Sequence, residues 1–394
     1  AADAAPRFAG ASIPLLVVAD TRIGLGELAA HWRGKFRMPL VALTGSNGKT
    51  TVKEMLASIL REAAGAPAAV LATQGNLNND IGVPLMLLRL GPGHRYAVIE
   101  MGMNHAGEIA YLTRLARPDV ALITNAGSAH IEFLKTREGI ARAKGEIFEG
   151  LAPGGAAVIN ADDDFAGLWR AAAGARRVVD FGLVQAAAVS AGCRIGPEAT
   201  ELHLRLPGAE VDTKLRVPGL HNVRNALAAA AAAVALDVAP AAIARGLAAF
   251  SGVKGRLQRV PAIRGATLID DTYNANPESV AAALDVLAAA PGKRLLVIGD
   301  MGELGSGAAA LHAEIGRKAR ACAVDALLAL GEASVHAARA FGPGARHFER
   351  IEDLLAELEN LLAPGVTVLV KGSRFMRMER VVKSFELPGP AAGA

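Results

Sequence analysis

The sequence of 394 residues predicts an α/β fold built from two parallel-sheet domains. Short apolar runs at 39–43, 96–100, 119–124 and 156–160 are typical of buried strands, and helical segments separate them. One of these helices is marked by apolar residues at the spacing of a single helix face: Val52, Met55, Leu56, Ile59 and Leu60. Such alternation indicates a largely parallel sheet that helices cover on both faces.

Near residue 255 the alternation begins again, which predicts a second domain of doubly wound, Rossmann-like type. Its strand candidates are 266–269, 294–298, 326–330 and 366–370, with helices at 280–289, 312–321 and 351–362. Helices at 226–236 and 241–250 close the first domain. The segment before residue 38 has one strand-like run, at 13–18, and one helix, at 25–32, which is too little for a domain of its own. We therefore expect a remnant of an N-terminal domain at 1–37, a central domain at 38–257 and a C-terminal domain at 258–394.

Composition and charge exclude several classes of protein. The 42 basic and 38 acidic residues are mixed along the chain, and no basic stripe with stacking aromatic residues suggests a nucleic-acid partner. The longest apolar run, 226–236, is about half of the ~20 residues that a membrane span requires, so no membrane insertion is expected. Cys193 and Cys322 lie too far apart in the sequence for a disulfide framework or a multi-cysteine zinc site, which fits a reducing, cytoplasmic location.

A glycine-rich turn joins the first predicted strand to the first helix. It reads Thr44-Gly45-Ser46-Asn47-Gly48-Lys49-Thr50-Thr51. Backbone N–H groups in such a turn, at the start of a helix, bind phosphate. Lys49 would neutralise the phosphate and the Thr50 hydroxyl would hold Mg²⁺, although Leu43 stands where the longer form of the motif has glycine. The pattern predicts ATP binding; a purely structural glycine turn with a surface lysine is the alternative.

Three further residues are candidates for chemistry because of where they stand. Glu100 ends a predicted strand, where side chains of an open α/β sheet face the ligand crevice, and its carboxylate suits Mg²⁺; a surface or capping glutamate is the alternative. His130 follows another strand and Gly127, and is either a site residue or an ordinary polar one. Lys144, taken alone, is a solvated helix lysine.

Several motifs in one order resemble those of the Mur ligases. After the glycine-rich turn come Ile99-Glu100-Met101-Gly102, the segment 125–130, Ala143-Lys144, the segment 221–225 and Lys254-Gly255-Arg256. Four more segments resemble the members that join D-alanyl-D-alanine to UDP-N-acetylmuramoyl-tripeptide: 75–84, 270–277, 299–305 and 371–374. The similarity runs from about residue 40 to residue 380. It implies a central P-loop ATPase domain and a Rossmann-like C-terminal domain.

The resemblance also implies roles for individual residues. Gly45, Ser46, Asn47, Gly48 and Thr51 would cradle the nucleotide around Lys49, which would bind the β- and γ-phosphates. Magnesium ions would be held by Thr50 and Glu100, by His130 near the second ion, and by Lys144 as a carbamylated lysine. The resemblance also implies that Asn222 and Asn225 lie near the adenine. Arg256 and Asp271 would close on the nucleotide. Residues matched to the other substrates are Asn76, Asn79, Asn276 and Arg374.

The reaction implied by the resemblance is ATP-dependent amide formation through an acyl phosphate, in peptidoglycan precursor synthesis. The sequence leaves the oligomeric state open, and a monomer is the default expectation. Family members have three domains, so residues 1–37 would be what remains of the domain that recognises the UDP part of the substrate. A related Mur ligase or a folylpolyglutamate-type ligase that adds another amino acid is the main alternative. A nucleotide-dependent switch without a ligase step and a structural cell-wall partner are two others.

Overall fold

The central part of the chain folds around a parallel six-stranded sheet. A computed structural model describes residues 12, 15–127, 131–196 and 199–387. The strands of this sheet are β1 (Leu40–Thr44), β2 (Val70–Ala72), β3 (Tyr96–Glu100), β4 (Val120–Ile123), β5 (Ala156–Asn160) and β6 (Arg177–Phe181). Their spatial order is β2-β3-β1-β4-β5-β6, and every residue of β1 is buried because strands flank it and helices cover both faces.

Two helical layers cover this sheet. One contains α2 (Lys49–Ala64), α8 (Leu220–Ala235) and α9 (Pro240–Ala249); the other contains α1 (Thr21–Arg33), α3 (Gly82–Leu87), α4 (Glu108–Ala116), α5 (Ile131–Leu134), α6 (Arg137–Gly145) and α7 (Ala166–Ala173). Alternate residues of β1 pack against opposite layers: Val41 and Leu43 pack with α2, whereas Leu40 and Ala42 pack on the opposite side. The helix predicted at 25–32 is therefore part of this packing, because Ala29 is fully buried.

A small antiparallel sheet extends the first α/β unit. It consists of β7 (Ser190–Ile195), β8 (Thr200–Leu206) and β9 (Ala209–Leu215). Leu202, Leu204 and Leu206 of β8 join the core below α8 and α9, whereas the residues between them are more exposed. This alternation is the period of two expected for a strand with one buried face. The sequence pattern does not predict these three strands.

The second α/β unit has its own six-stranded sheet. Its strands are β10 (Gln258–Pro261), β11 (Thr267–Asp271), β12 (Lys293–Gly299), β13 (Ala326–Leu330), β14 (Ala345–Phe348) and β15 (Val366–Lys371), in the order β10-β11-β15-β12-β13-β14. Only β10 is antiparallel to its neighbour. The helices are α10 (Pro277–Ala288), α11 (Ala308–Ala321), α12 (Val335–Phe341), α13 (Ile351–Leu361) and α14 (Glu379–Phe385). We call the two units the first lobe and the second lobe.

The predicted α/β class is confirmed, with a parallel ATPase-type sheet first and a doubly wound sheet second. One predicted strand is wrong: the part of 13–18 that the structure describes, 15–18, is not a strand. Leu15, Leu16 and Val17 are exposed there, and a strand is not stable without a neighbour to pair with. Residues 13 and 14 lie outside the described residues. Among the described helices, none is both long and apolar enough to cross a membrane.

Candidate active site

The turn between β1 and α2 requires glycine at two positions. A Cβ on Gly45 would lie 1.8 Å from the Thr124 hydroxyl oxygen at the end of β4. Gly48 has φ of +84°, and a Cβ there would lie 2.3 Å from the side-chain oxygen of Asn225. Since neither space nor backbone conformation admits a larger residue, the turn runs close against β4 and α8. We call residues 44–51 the phosphate loop.

Asn125, which follows β4, fixes the shape of the phosphate loop. The backbone N–H of Ser46 donates to the Asn125 carbonyl at 3.0 Å, and the N–H of Asn47 donates to Oδ1 of Asn125 at 2.9 Å. In return, Nδ2 of Asn125 and the Thr124 hydroxyl donate to the carbonyl of Asn47 at 3.0 and 2.7 Å. The loop is thus held before any ligand binds, and the first N–H groups of α2, which have no partner within the helix, remain available for an anion.

Lys49 folds back over the same loop. Its ammonium donates to the carbonyl of Gly45 at 2.6 Å and to that of Ser46 at 3.4 Å. Burial lowers the pKa of Lys49, the positive Arg256 lowers it further, and the carboxylate of Glu100 opposes both. A cation held at the mouth of an amide-lined turn is the arrangement that stabilises bound phosphate.

Glu100 forms the acidic side of the site. Its Oε2 accepts a 2.9 Å hydrogen bond from the Thr50 hydroxyl, and its Oε1 accepts one of the same length from Nδ2 of Asn78. The backbone N–H of Glu100 donates to the Thr73 hydroxyl at 2.9 Å. The Glu100 carboxylate is buried, yet both of its oxygens have polar partners, as a buried charge requires.

Residues of the junction and of the second lobe reach the phosphate loop. Arg256 donates from Nη2 to the Thr50 hydroxyl at 2.9 Å and stacks on the ring of Tyr273, 4.3 Å from its centroid. Asn276 donates from Nδ2 to the side-chain oxygen of Asn47 at 2.8 Å. Both lobes therefore contribute to one polar cleft, which is the arrangement expected where domain closure completes a site.

Asp271 lies at the end of β11, on the second-lobe side of the cleft. Its Oδ2 accepts a 2.6 Å hydrogen bond from the ammonium of Lys371, and both side chains are buried. Burial raises the pKa of the Asp271 carboxyl, while Lys371 and Arg256 pull it down. Lys371 also donates to the carbonyl of Asn274 at 2.9 Å, so the ion pair fixes the loop that carries Tyr273.

Similarity to known proteins shows which family this chain belongs to. The model of the Mur ligase middle domain matches residues 43–233, and that of the Mur ligase glutamate ligase domain matches residues 255–374. The chain belongs to the Mur ligase family. The UDP-N-acetylmuramoyl-tripeptide--D-alanyl-D-alanine ligase of Escherichia coli K12 is 44% identical over 381 residues, which are 96% of this chain and 83% of the relative.

Solved structures agree with this assignment. A crystal structure of MurF from Acinetobacter baumannii is 40% identical and has a TM-score of 0.88, over 94% of this chain and 83% of that one. MurF ligase from Thermotoga maritima in complex with ADP is 28% identical with a TM-score of 0.83, over 95% of this chain and 85% of that one. The Mur ligase fold predicted from the motifs is therefore confirmed over nearly the whole chain.

In this Mur ligase Lys144 is a buried residue of α6. Its side chain is 1% exposed, and burial together with the positive charge of Lys49 holds its pKa well below the usual value for lysine. The prediction of a surface lysine, which rests on the helical context of Lys144 alone, is thus wrong. His130, the other predicted residue of this part of the site, lies outside the described residues.

The two asparagines of α8 line the same Mur ligase cleft. Asn222 is buried and donates from Nδ2 to the carbonyl of Pro218 at 2.8 Å, while its Oδ1 accepts from Nδ2 of Asn225 at 3.3 Å. Because Asn225 also packs against Gly48, the pair is adjacent to the phosphate loop. That these two residues contact the base of the nucleotide stays a prediction.

The predicted substrate residues occupy different surroundings. Oδ1 of Asn79 accepts from the backbone N–H groups of Ile81 and Gly82 at 3.3 and 2.8 Å, so this side chain caps the start of α3. Asn76 is exposed. Arg374 is exposed at the cleft, 3.6 Å from Glu379 and 5.8 Å from the centroid of Tyr273. Their roles towards substrate stay predictions.

Four residues of the site were not singled out in the sequence: Asn78, Asn125, Tyr273 and Lys371. Lys371 ends β15 and Asn125 follows β4 by two residues, so the rule that located Glu100, the C-terminal end of a parallel strand, also finds them. Asn78 and Tyr273 lie in irregular segments and carry no comparable signal.

Proposed function

We propose that this chain catalyses the ATP-dependent joining of UDP-N-acetylmuramoyl-tripeptide to D-alanyl-D-alanine, a step of peptidoglycan precursor synthesis. The observation that carries this proposal is the 44% identity to the Escherichia coli ligase of that name over 96% of the chain. The phosphate loop, with Lys49 folded over it, supplies the independent physical support.

The chemistry requires activation of an acid, because a carboxylate and an amine form a salt at neutral pH. An oxygen of the terminal carboxylate of the tripeptide attacks the γ-phosphorus of ATP, the bond to the β–γ bridging oxygen breaks, and ADP leaves. The amine nitrogen of D-alanyl-D-alanine then attacks the acyl carbon of the resulting acyl phosphate. The tetrahedral intermediate collapses with loss of inorganic phosphate, and the nitrogen gives up a proton.

The protein contributes position and electrostatics to these steps. The N–H groups at the start of α2 and the Lys49 ammonium, which lies beside them, would contact the phosphates of ATP, so the charge of the transferring group would be stabilised without reorganisation. Arg256, in contact with Thr50, adds a second cation from the junction between the lobes. Such preorganised charges act most strongly in a cleft from which water is excluded.

The donor set at Thr50 and Glu100 fits magnesium. A hydroxyl and a carboxylate oxygen 2.9 Å apart are the hard oxygen donors that Mg²⁺ prefers, and they flank the phosphate loop. When bound there, Mg²⁺ would neutralise charge on the β- and γ-phosphates. We infer that Thr50 and Glu100 hold this ion, with His130 as a further candidate.

We further infer that the nitrogen of the neutral Lys144 amine bonds to the carbon of CO₂ and loses one proton, which gives a carbamate. Carbamate formation needs a neutral amine, and the surroundings of Lys144 disfavour its charged form. The carbamate would convert a cation into an anion with two carboxylate-like oxygens, which are suitable ligands for a second Mg²⁺. The negative charge would also pair with Lys49, which in the unmodified protein repels Lys144.

Closure of the two lobes would gate the reaction, because contacts to the loop come from both. The connection at 252–255 contains Gly252 and Gly255 with φ of +105° and +73°, conformations that glycine adopts without strain. We propose this segment as the hinge and domain limits of 38–257 and 258–394. Asn222 and Asn225 would contact the adenine, Asp271 would close on the nucleotide, and Asn276 and Arg374 would face the other substrates.

We propose that the protein is a monomeric enzyme of the cytoplasm. Both described cysteines, Cys193 and Cys322, are free thiols, as expected in a reducing compartment. The substrates named above also fit that compartment, since ATP and nucleotide-linked sugars are made there. Size-exclusion chromatography with light scattering would measure the mass in solution.

The experiment that tests the proposed function measures phosphate released from ATP. The purified chain is incubated with UDP-N-acetylmuramoyl-tripeptide, with and without D-alanyl-D-alanine, and the amide product is followed by mass spectrometry. We expect release that depends on both substrates. Release driven equally well by glutamate or another amino acid would favour a related ligase, and ATP binding without any stimulated release would favour a switch.

A further inference from the structure

A second cavity lies between the two lobes, and its volume is about 330 Å³. One wall comes from the first lobe, with residues at the end of β7 and the segment that leads into α8. The other wall comes from β10 and from the face of α10 that includes Ala282 and Val286. Among the described residues that line it, none belongs to the phosphate loop, so we name it the interlobe cavity.

The lining of the interlobe cavity is mainly apolar. The side chains that form it include Ile195, Pro218, Leu220, Ala282 and Val286. Ile195 and Leu220 keep 46% and 42% of their surface exposed, so the two lobes leave this apolar surface uncovered. Small-molecule sites are typically apolar cavities of about 300–1,000 Å³ at domain junctions, with a few polar groups for orientation. This cavity meets that description.

Two arginines give the rim of the cavity a positive charge. Arg224 of α8 and Arg259 of β10 stand on opposite lobes, and both side chains are exposed. Within the described part of the chain neither has a carboxylate within ion-pair distance. Asp285 also lines the cavity, but Lys318 pairs with it at 2.7 Å and offsets its charge. The rim therefore favours an anionic group.

His221 adds a polar atom that the protein itself does not satisfy. Its ring lies against Gly219, where a Cβ would come within 2.5 Å of the ring. The Nε2 atom is buried and has no hydrogen-bond partner among the described residues. An unsatisfied buried polar atom carries a desolvation penalty, and this one, unpaired among the described residues, belongs to a side chain that lines the cavity.

From these features we propose that the interlobe cavity binds a small amphipathic anion. An aromatic or branched aliphatic body would fill the apolar space between α8 and α10, and a carboxylate, sulfonate or phosphate group would lie between Arg224 and Arg259. Because the walls belong to both lobes, the occupant contacts both at once. Its affinity is therefore linked to the arrangement of the lobes, and reciprocally so.

The probe for this proposal is 8-anilinonaphthalene-1-sulfonate, an aromatic anion whose fluorescence rises in apolar surroundings. The dye is titrated into a solution of the full chain, and the fluorescence gives the Kd of saturable binding. We expect one site per chain. The double variant Arg224→Gln/Arg259→Gln should weaken binding about tenfold, which corresponds to about 1.4 kcal/mol.

Matched variants separate the cavity from the rest of the surface. Ala282→Leu places a larger side chain in the cavity and should abolish saturable binding, whereas Ala281→Leu, on the same helix but outside the cavity lining, should not change the Kd. Arg339→Gln, an exposed arginine of α12, serves as the control for charge. Circular dichroism of each variant shows that it is folded, and the arginine variants test the site even where Ala282→Leu is unstable.

Two results would overturn the proposal. One is a Kd that neither the arginine pair nor Ala282→Leu changes, since the dye would then bind elsewhere on the surface. The other is competition with ADP, in which the apparent Kd rises in proportion to the ADP concentration, because that would locate the dye in the nucleotide cleft. A limited change of Kd that saturates with ADP is the linkage expected between separate sites and supports the proposal.

Discussion

The hydroxyl of Thr50 donates a 2.9 Å hydrogen bond to Oε2 of Glu100, and this contact joins the phosphate loop to the neighbouring strand. The two residues meet because β1 and β3 are parallel neighbours, with Leu43 in register with Glu100. Their C-terminal ends therefore lie at the same edge of the sheet, where Thr50 opens the first turn of α2. The proposed metal site is thus a direct consequence of strand order.

Glu100→Gln is expected to weaken the Mg²⁺ dependence of the reaction. The amide keeps the shape of the side chain and a hydrogen-bond acceptor for Thr50 but loses the negative charge that attracts the cation. We expect the Mg²⁺ concentration for half-maximal turnover to rise at least about tenfold, the size seen when metal-site partners are removed. A Mg²⁺ titration of phosphate release measures it, with Glu62→Gln, at a surface ion pair with Arg245, as the control.

A titration curve unchanged by Glu100→Gln would contradict the assignment of this carboxylate to the metal. Unchanged curves in the Glu62→Gln control are required for the comparison, since loss of surface charge alone alters nothing near the phosphate loop.

Lys49→Ala is expected to lower kcat by about 100-fold or more, the cost of removing one preorganised donor from a transition state. In the structure its ammonium bridges two carbonyls of the phosphate loop, so the variant also tests loop shape. Phosphate release under saturating ATP gives kcat, and equilibrium binding of ADP gives the ground-state contribution. A near-normal kcat would refute the role of Lys49, and the exposed Lys214→Ala provides the control.

The sequence locates the candidate site where local rules apply. A glycine turn between a strand and an amphipathic helix identifies the phosphate loop, and a strand end identifies Glu100, because both depend on residues close together in the chain. Lys144 is different. Nothing near it in the sequence shows that α6 buries this side chain, so the residues alone predict a surface lysine.

The strands of the fold also differ in whether the nearby sequence predicts them. Long apolar strands such as β12 and β15 are visible in the sequence because both of their faces are buried. Strands β7 and β9 have almost no fully buried residues, and they are defined by pairing with β8 across the sheet. Pairing partners are a tertiary property, so propensity within each segment does not reveal them.

Carbamylation of Lys144 predicts a specific dependence on CO₂. In protein equilibrated with ¹³C-bicarbonate, we expect one carbamate resonance by ¹³C NMR, and phosphate release should fall when CO₂ is removed and recover when bicarbonate returns. Lys144→Arg should lack the resonance, because guanidinium does not form a carbamate, whereas Lys214→Arg should keep it. A missing resonance together with activity indifferent to CO₂ would show that Lys144 acts unmodified.

His221 predicts a loss of stability in mild acid. Burial, with Lys371 and Arg224 nearby, lowers its pKa from 6.5 to about 4, although Asp285 opposes the shift. Above pH 6.5 the ring is neutral in both states; between pH 6.5 and 4 only the unfolded chain binds the proton, so stability falls as the pH falls. The loss is at most about 3 kcal/mol, from about 1.36 kcal/mol per pKa unit.

Denaturant unfolding at pH 7.5 and pH 5 measures this effect against the variant His221→Gln. The variant should lose less stability between the two pH values than the parent protein, because glutamine does not titrate. His336→Gln, at a histidine outside the interlobe cavity, is the control and should behave like the parent. An equal pH dependence in all three proteins would show that His221 is not the responsible group.

Asn276 has two roles that one substitution separates. Its Oδ1 caps α10 by accepting from the N–H of Ser279 at 2.9 Å, and its Nδ2 reaches Asn47 across the junction at 2.8 Å. Asn276→Ser keeps a capping hydroxyl but is too short to reach Asn47, whereas Asn276→Ala loses both contacts. We expect Asn276→Ala to cost about 1 kcal/mol of stability from the lost cap, and Asn276→Ser to cost much less.

Enzymatic activity should depend on the other contact, the hydrogen bond between Asn276 and Asn47. If the bond between Asn276 and Asn47 positions the lobes for the reaction, Asn276→Ser and Asn276→Ala should lower kcat/KM to a similar extent, about tenfold for a bond worth about 1.4 kcal/mol. Thermal unfolding and steady-state kinetics of the same preparations compare the two effects. Should kcat/KM fall only in Asn276→Ala, the loss would belong to the helix cap, and the contact between the lobes would have no part in closing the site.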